Sequence, residues 1–174
     1  LTGGGTFKKT GSGVLALFNT DVDASIVVAE GMLMVCDESD SAPIDITVEN
    51  GAVVNLSAAY IPFLNPDNSI VLKGGSQLWL SNGADLCGTI TVEDAYESSA
   101  KICGSSLAPT TISADIIGEG NVEFADGGEF GSNMFKCEYP TTYSGSISGD
   151  LTVIVSDKEE ITFTSGNTYM MGTI

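Results

Sequence analysis

The sequence predicts an all-β fold, a parallel β-helix: a solenoid with loop excursions, running over residues 1–174 as one domain. Three observations predict it. Composition is the first. Gly makes up 21 of 174 residues, against an average near ~7%. With abundant Ser, Thr, Val and Ile, this points to strands and tight turns. Strand–turn–strand units, repeated along the chain, are the second. The third is their spacing. Gly31, Gly51 and Gly75 hold the same place in three successive units, 20 and 24 residues apart. Such a period marks a repeat architecture whose units bury a face only by stacking.

The units run in order. Ser25–Ala29 leads through Glu30-Gly31 to Met32–Cys36. Ile44–Val48 leads through Glu49-Asn50-Gly51 to Ala52–Leu56, and Ser69–Leu72 leads through Lys73-Gly74-Gly75 to Ser76–Leu80. Each unit alone reads as a hairpin; the common period favours coils. Val54 and Leu56 lie at the same offsets from their glycine as Leu78 and Leu80, so they are expected to point inward and stack. Weaker units follow. Thr89–Val92 leads through an acidic turn to Ala100–Cys103, and Thr111–Ile116 leads through Gly118-Glu119-Gly120 to Asn121–Phe124. Then come Ser144–Ser148, Leu151–Val155 and Ile161–Thr164. Stretches 57–68, 81–88, 104–110 and 125–143 read as loops leaving the stack. They hold Pro62, Pro66, Pro109 and Pro140, which cannot donate to a ladder.

Charge narrows the function classes. Six Lys, no Arg and 23 acidic residues give a net charge of −17. Such a chain repels nucleic acid and anionic membrane surfaces. With no His, Ser-His-Asp and Cys-His nucleophiles and His-ligated metal sites are excluded. No apolar run approaches the roughly 18 residues of a spanning helix, so no direct membrane insertion is expected. Leu1 reads as an interior or processed start.

Four cysteines, Cys36, Cys87, Cys103 and Cys137, suit an oxidising compartment. They allow three pairings, and the sequence does not choose among them. Small buried strand residues are the other reading. The wide gaps, without a C-x-x-C, speak against a metal knuckle. A catalytic thiolate is not expected, because no His or Arg is present to activate one.

Two segments resemble the passenger-associated transport repeat of bacterial autotransporters. GGGTFKKTGSGVLAL (3–17) is similar to its first half and IVVAEGMLMV (26–35) to the coil that follows. YSGSISGDLTVIV (143–155) and ITFTSGNTYMMGTI (161–174) resemble a second copy. Lys9-Thr10-Gly11-Ser12-Gly13 and Gly166-Asn167-Thr168-Tyr169 fit the repeat. Met170–Thr173 and Ser156–Glu160 depart from it, and the two segments cover less than half the chain. The resemblance implies a right-handed parallel β-helix at the bacterial cell surface or secreted, with no catalytic residues to carry over. The chain also begins and ends inside repeat-like sequence. This suggests either a slice of a longer solenoid or head-to-tail stacking on other copies.

Candidate sites each compete with a plainer role. Asp21 and Asp23, with Asp37 and Asp40, offer hard oxygen ligands suited to Ca²⁺, the one cofactor considered. No EF-hand loop or Gly-Gly-x-Gly-x-Asp nonapeptide accompanies them, and a solvated acidic edge is the alternative. Glu93, Asp94 and Glu97 flank Tyr96 and could serve glycoside hydrolysis. The β-helical pectin-cleaving enzymes set Arg, Lys or His beside Asp clusters; Arg and His are missing here. Trp79 alternates with Leu78 and Leu80, so an outward ring is expected. With Tyr60, Tyr96 or Tyr139 it could stack on a sugar; cover beneath a loop is the alternative. Phe124, Phe130 and Phe135 border a Gly-rich loop and are expected to plug the stack or seat that loop.

The expected function is non-enzymatic: an extracellular structural solenoid serving as stalk, surface fibre or matrix component, with other copies or adjoining repeats as partner. A binding module is the second expectation, an adhesin gripping glycan or a host surface through 57–68 and 125–143. A carbohydrate-active enzyme is the third.

Overall fold

The computed structural model describes residues 4–18, 24–36, 43–57, 63–104, 108–125, 129–130, 133–134, 139–156 and 160–164. Within these residues there are strands and turns and no helix. The first eight strands alternate between two faces. β1 (Thr6–Lys9), β3 (Ser25–Val28), β5 (Asp45–Val48) and β7 (Ser69–Lys73) pair in parallel on one; β2 (Val14–Phe18), β4 (Met32–Cys36), β6 (Val53–Ser57) and β8 (Gln77–Ser81) do so on the other. From β9 (Thr89–Cys103) a single strand rounds the corner and serves both faces. β11 (Asp115–Phe124) and β15 (Ile147–Val155) repeat that path. A third face holds β10 (Thr110–Ile112), β14 (Thr141–Tyr143) and β16 (Ile161–Phe163), continued backward by bridges at Leu86 and Phe63. The described residues thus make seven successive coils of a parallel β-helix, opened by β1, β3, β5, β7, β9, β11 and β15. The sole antiparallel pair among them is the short excursion β12 (Glu129–Phe130) with β13 (Asn133–Met134).

The local hairpins allowed by the turn glycines do not form. Gly31, Gly51 and Gly75 have φ of 70°, 75° and 79°, the left-handed region that a side chain disfavours. They turn the chain from the first face to the second, and each strand then pairs with the next coil. Parallel pairing fixes the side-chain columns. One runs Phe7, Ile26, Ile46, Ile70, Ile90, Ile116, Ile147. A second runs Leu15, Leu33, Val54, Leu78, Ile102, Phe124, Val155. Val54, Leu56, Leu78 and Leu80 are all fully buried, Val54 against Leu78 and Leu56 against Leu80, as their offsets predict. The third face adds Phe63, Leu86, Ile112 and Tyr143 to the same core. Phe124, Tyr143 and Phe163 meet edge to face, with centroids 5.7–6.2 Å apart; Phe124 and Tyr143 fill the interior, and Phe163 is partly exposed at the last coil.

Polar groups inside the stack are tied down. Asn68 accepts from the Ile44 amide at 3.0 Å and donates to the carbonyls of Phe63 and Cys87 at 3.0 and 3.2 Å. One buried amide thereby ties together the corner where the third face meets the first. Lys9 stands in an inward column, ahead of Val28, and is 7% exposed. Its ammonium donates to the carbonyls of Thr10, Gly11 and Glu30 at 3.1, 2.6 and 3.0 Å, which offsets the desolvation of the charge.

Three expectations need correction. Stretches 63–68 and 81–88 do not leave the stack, nor do the ends of the other two, Thr110 and Thr141–Tyr143; Phe63 and Leu86 lie inside it and pair with one another, and Thr110–Ile112 pairs with Thr141–Tyr143. Thr111–Ile116 is not one strand: Thr110–Ile112 ends the fifth coil on the third face, and Asp115 begins the next. Residues 93–99 are not a turn but part of continuous β9. The third face escapes the two-strand pattern because its strands have two or fewer inward positions each, too few for an alternation to register.

Replacing Ile70, which is 1% exposed at mid-column, by Ala is expected to cost about 2–5 kcal/mol. Leu15→Ala, in the half-buried first coil, should cost clearly less. Urea unfolding of both variants measures the gradient; equal losses would contradict a core built by stacking.

Candidate functional site

The surface feature that stands out is the corner between the first and second faces in coils five to seven. Val92 pairs with Gly118, 26 residues on, whereas Ala100 pairs with Val122, 22 residues on. β9 therefore carries four more residues than β11 around this corner and bulges outward. The bulge is held by the coil before it: Gly74 donates its amide to the Glu93 carbonyl at 2.9 Å, and Gly75 donates to Ser98 at 3.0 Å. Coil six passes close beneath. Gly118 has φ +128°, and a Cβ there would stand 2.0 Å from the Val92 carbonyl oxygen.

The bulge presents Tyr96, 57% exposed, with Glu93, Asp94 and Glu97 also exposed around it. The Tyr96 hydroxyl donates to Glu119 Oε2 at 3.2 Å, and Asn121 Nδ2 donates to the Tyr96 carbonyl at 3.2 Å. Local desolvation raises the Tyr96 phenol above its ordinary value, and the charges of Glu119 and Asp150 and the hydrogen bond to Glu119 add to it. Glu119 and Asp150 are register partners on adjacent coils. The corner is thus an acidic ridge. No group of three or more His, Cys, Asp or Glu among the described residues is arranged to hold a metal ion.

Trp79 is not on that ridge. It points away from the main core, as its alternation predicts, yet it is 1% exposed and packs in a second small cluster with Met32, Val53 and Cys103. Its indole Nε1 donates to Gln77 Oε1 at 3.0 Å. Trp79 therefore offers no open ring to a sugar, and it shares no site with Tyr96. Of the proposed stacking residues, Tyr60 lies outside the described residues. So do the Ca²⁺ candidates Asp21, Asp23, Asp37 and Asp40, and Cys137. Cys36 and Cys87 are half-buried free thiols, and Cys103 is buried beside Trp79. Burial pushes the Cys36 thiol up, opposed by a hydrogen bond with Ser57; a raised thiol is a poor nucleophile at neutral pH.

One carboxylate is set apart from the ridge by its partner. Asp115 Oδ1 accepts from Ser146 Oγ at 2.7 Å and from the Ser146 amide at 2.8 Å. These bonds, first the hydroxyl and then the amide, hold its carboxyl below the ordinary range. They join coil six to the start of coil seven. Asp85 does the same for the Thr111 amide at 2.8 Å. These contacts link residues 26 to 31 apart, so no local pattern announces them.

No protein-family model, no curated protein and no solved structure matches this chain.

Two titrations follow. The folded-state value of Asp115 is depressed, so its contribution is present above the unfolded value near ~3.9 and lost as pH falls through the folded one. Asp115→Asn is therefore expected to lower the urea midpoint at neutral pH, and the gap should close on acidification below about 4. A gap independent of pH would refute the assignment. In ultraviolet difference titration, the Tyr96 signal, identified by its loss in Tyr96→Phe, is expected above the ordinary tyrosine value. Glu119→Gln should bring it down; no movement would show that the Glu119 contact is absent in solution.

Proposed function

We propose that this chain is a non-enzymatic structural solenoid of the bacterial exterior, serving as a stalk, surface fibre or matrix segment. The observation that supports this most is the continuation of the inward columns of the first and second faces through all seven coils, the register shift of β9 against β11 being confined to the corner between those faces. Ladder hydrogen bonds between coils run along the axis, at about 4.8 Å per coil. Seven coils then give a rod of roughly 30 Å, stiff because bending it must stretch many parallel bonds at once. An inward side chain packs between like residues above and below it, as in Ile46, Ile70 and Ile90. The acidic exterior gives neighbouring rods a mutual repulsion that opposes lateral aggregation. The resemblance of residues 3–17 and 26–35 to the autotransporter repeat supports the location.

The test is immunogold electron microscopy on intact cells of the natural source, with an antibody raised against the folded chain. Labelled rods or fibres on unpermeabilised cells are the expected result. Labelling only after permeabilisation would sink the proposal. Saturable binding of the purified chain on a glycan array, lost in Tyr96→Ala, would replace it with the adhesin reading.

A further inference from the structure

Two threonine hydroxyls are buried on adjacent coils of the third face, and we infer that they hold one water molecule between them, an internal hydration site that ties coil five to coil six. The site depends on the coil register and not on the function proposed above.

The sequence carries one motif twice. Pro109-Thr110-Thr111-Ile112 returns as Pro140-Thr141-Thr142-Tyr143. The ladder sets the two copies residue on residue: Thr110 on Thr141, Thr111 on Thr142 and Ile112 on Tyr143. Strand alternation turns Thr111 and Thr142 outward. Thr110 and Thr141 point inward with Ile112 and Tyr143, and are 1% and 2% exposed. Neither Oγ1 has a hydrogen-bond partner among the described residues. Their column offers none. The matching position on the coil before is Ala84, which precedes Leu86 by two residues as Thr110 precedes Ile112; on the coil after it is Ile161. A buried hydroxyl left unsatisfied opposes folding. Asn55 Nδ2 and Ser76 Oγ are also buried without a partner, but of these four groups only Thr110 and Thr141 are register partners.

Their separation suits one water. Like positions on adjacent strands stand about 4.8 Å apart, beyond a direct O–H···O bond, which spans about 2.5–3.0 Å. One water about 2.8 Å from each hydroxyl bridges that gap at a near-tetrahedral angle. Each hydroxyl both donates and accepts, so either can meet the water in either sense. A third partner spans the same pair of coils. The Thr110 amide donates to the Pro140 carbonyl at 3.5 Å, whereas the Thr141 amide donates to the Glu160 carbonyl at 3.0 Å. The ladder is looser between the two threonines than one coil on, and the Pro140 oxygen has a second lone pair to offer. Three bonds are typical of a buried water.

The position gives the water a structural task. Coils five and six reach this corner by paths of unequal length, residues 104–109 after β9 and 125–140 after β11. Their strands on the third face are only three residues long, so little ladder fixes them. A water shared by Thr110 and Thr141, the first residue of each strand, holds the two in one register.

The test replaces each hydroxyl by a methyl group in the whole 174-residue chain. Thr110→Val, Thr141→Val and the double variant keep the β-branched shape and the strand preference. In urea unfolding, each single variant is expected to lower the folded-to-unfolded ratio about fivefold. The double variant should lose less than the product of the two, because the second substitution removes the group that the first left unpaired. Single variants that gain stability would show dry hydroxyls and overturn the inference, as would losses that simply multiply. A high-resolution crystal structure of the unmodified chain identifies the ligand without requiring any variant to fold. Density for one water within hydrogen-bonding distance of both Oγ1 atoms is the expected result. Hydroxyls bonded to each other, or packed with no water between them, would overturn the site whatever the unfolding data show.

Discussion

A coil of this chain cannot bury its own inward face. Each offers only one or two inward apolar side chains on a face, such as Ile90 and Val92 and then Ala100 and Ile102 of β9, and their cover comes from the same positions one coil above and below. The parallel ladder enforces this, because in-register pairing places like position on like position. Ile26, Ile46, Ile70, Ile90 and Ile116 form one buried column for that reason. Branched aliphatics suit the arrangement, filling the layer spacing in a single side-chain conformation. Core, register and rod shape are therefore one constraint seen at three scales.

The corners carry the exceptions. Turning the chain between faces demands left-handed backbone, supplied by glycine in the early coils. Later coils round the same corner as continuous bent strands, where Gly118 follows beneath Val92 and Gly149 beneath Gly118. A Cβ on Gly149 would stand 2.1 Å from the Gly118 carbonyl oxygen, so the backbones touch where a side chain would otherwise separate them. Extra chain length in one coil then has only one direction to go, which is outward, and β9 carries Tyr96 with it. The exposed tyrosine is a consequence of mismatched coil length at a corner.

Electrostatics are organised along the axis more than around it. The lysine–carboxylate pairs of Lys73 and Lys101 and the hydrogen bonds of Asp85, Asp115 and Asn68 all cross between coils. Individually, exposed ion pairs contribute little; as inter-coil ties they reinforce the register that the columns set. Lys9 shows the same economy at the first coil, its stem over Val28 and its ammonium shared by three corner carbonyls. Among the described residues, Glu93, Asp94, Glu97 and Asp150 are exposed at the corner between the first and second faces, where water solvates them.

The sequence by itself determined the fold class, the paired strands of coils two to four and the inward residues Val54, Leu56, Leu78 and Leu80. Gly31, Gly51 and Gly75 with alternating aliphatics contain the corner geometry and the column register in local form. It did not reveal the third face, because single inward residues such as Phe63 and Leu86 leave no periodicity to read. The fate of Trp79 was also hidden: alternation fixes that its ring points away from the core, but only the packed structure decides whether that side is open, and here it is closed. Tyr96 with Glu119, and Asp115 with Ser146, are 23 and 31 residues apart. Such pairs exist only once coil lengths and bulges are settled, and that sum over the whole stack is what tertiary structure decides. Local pattern chooses which side of a strand is inward; the accumulated register chooses which residues meet on the outside.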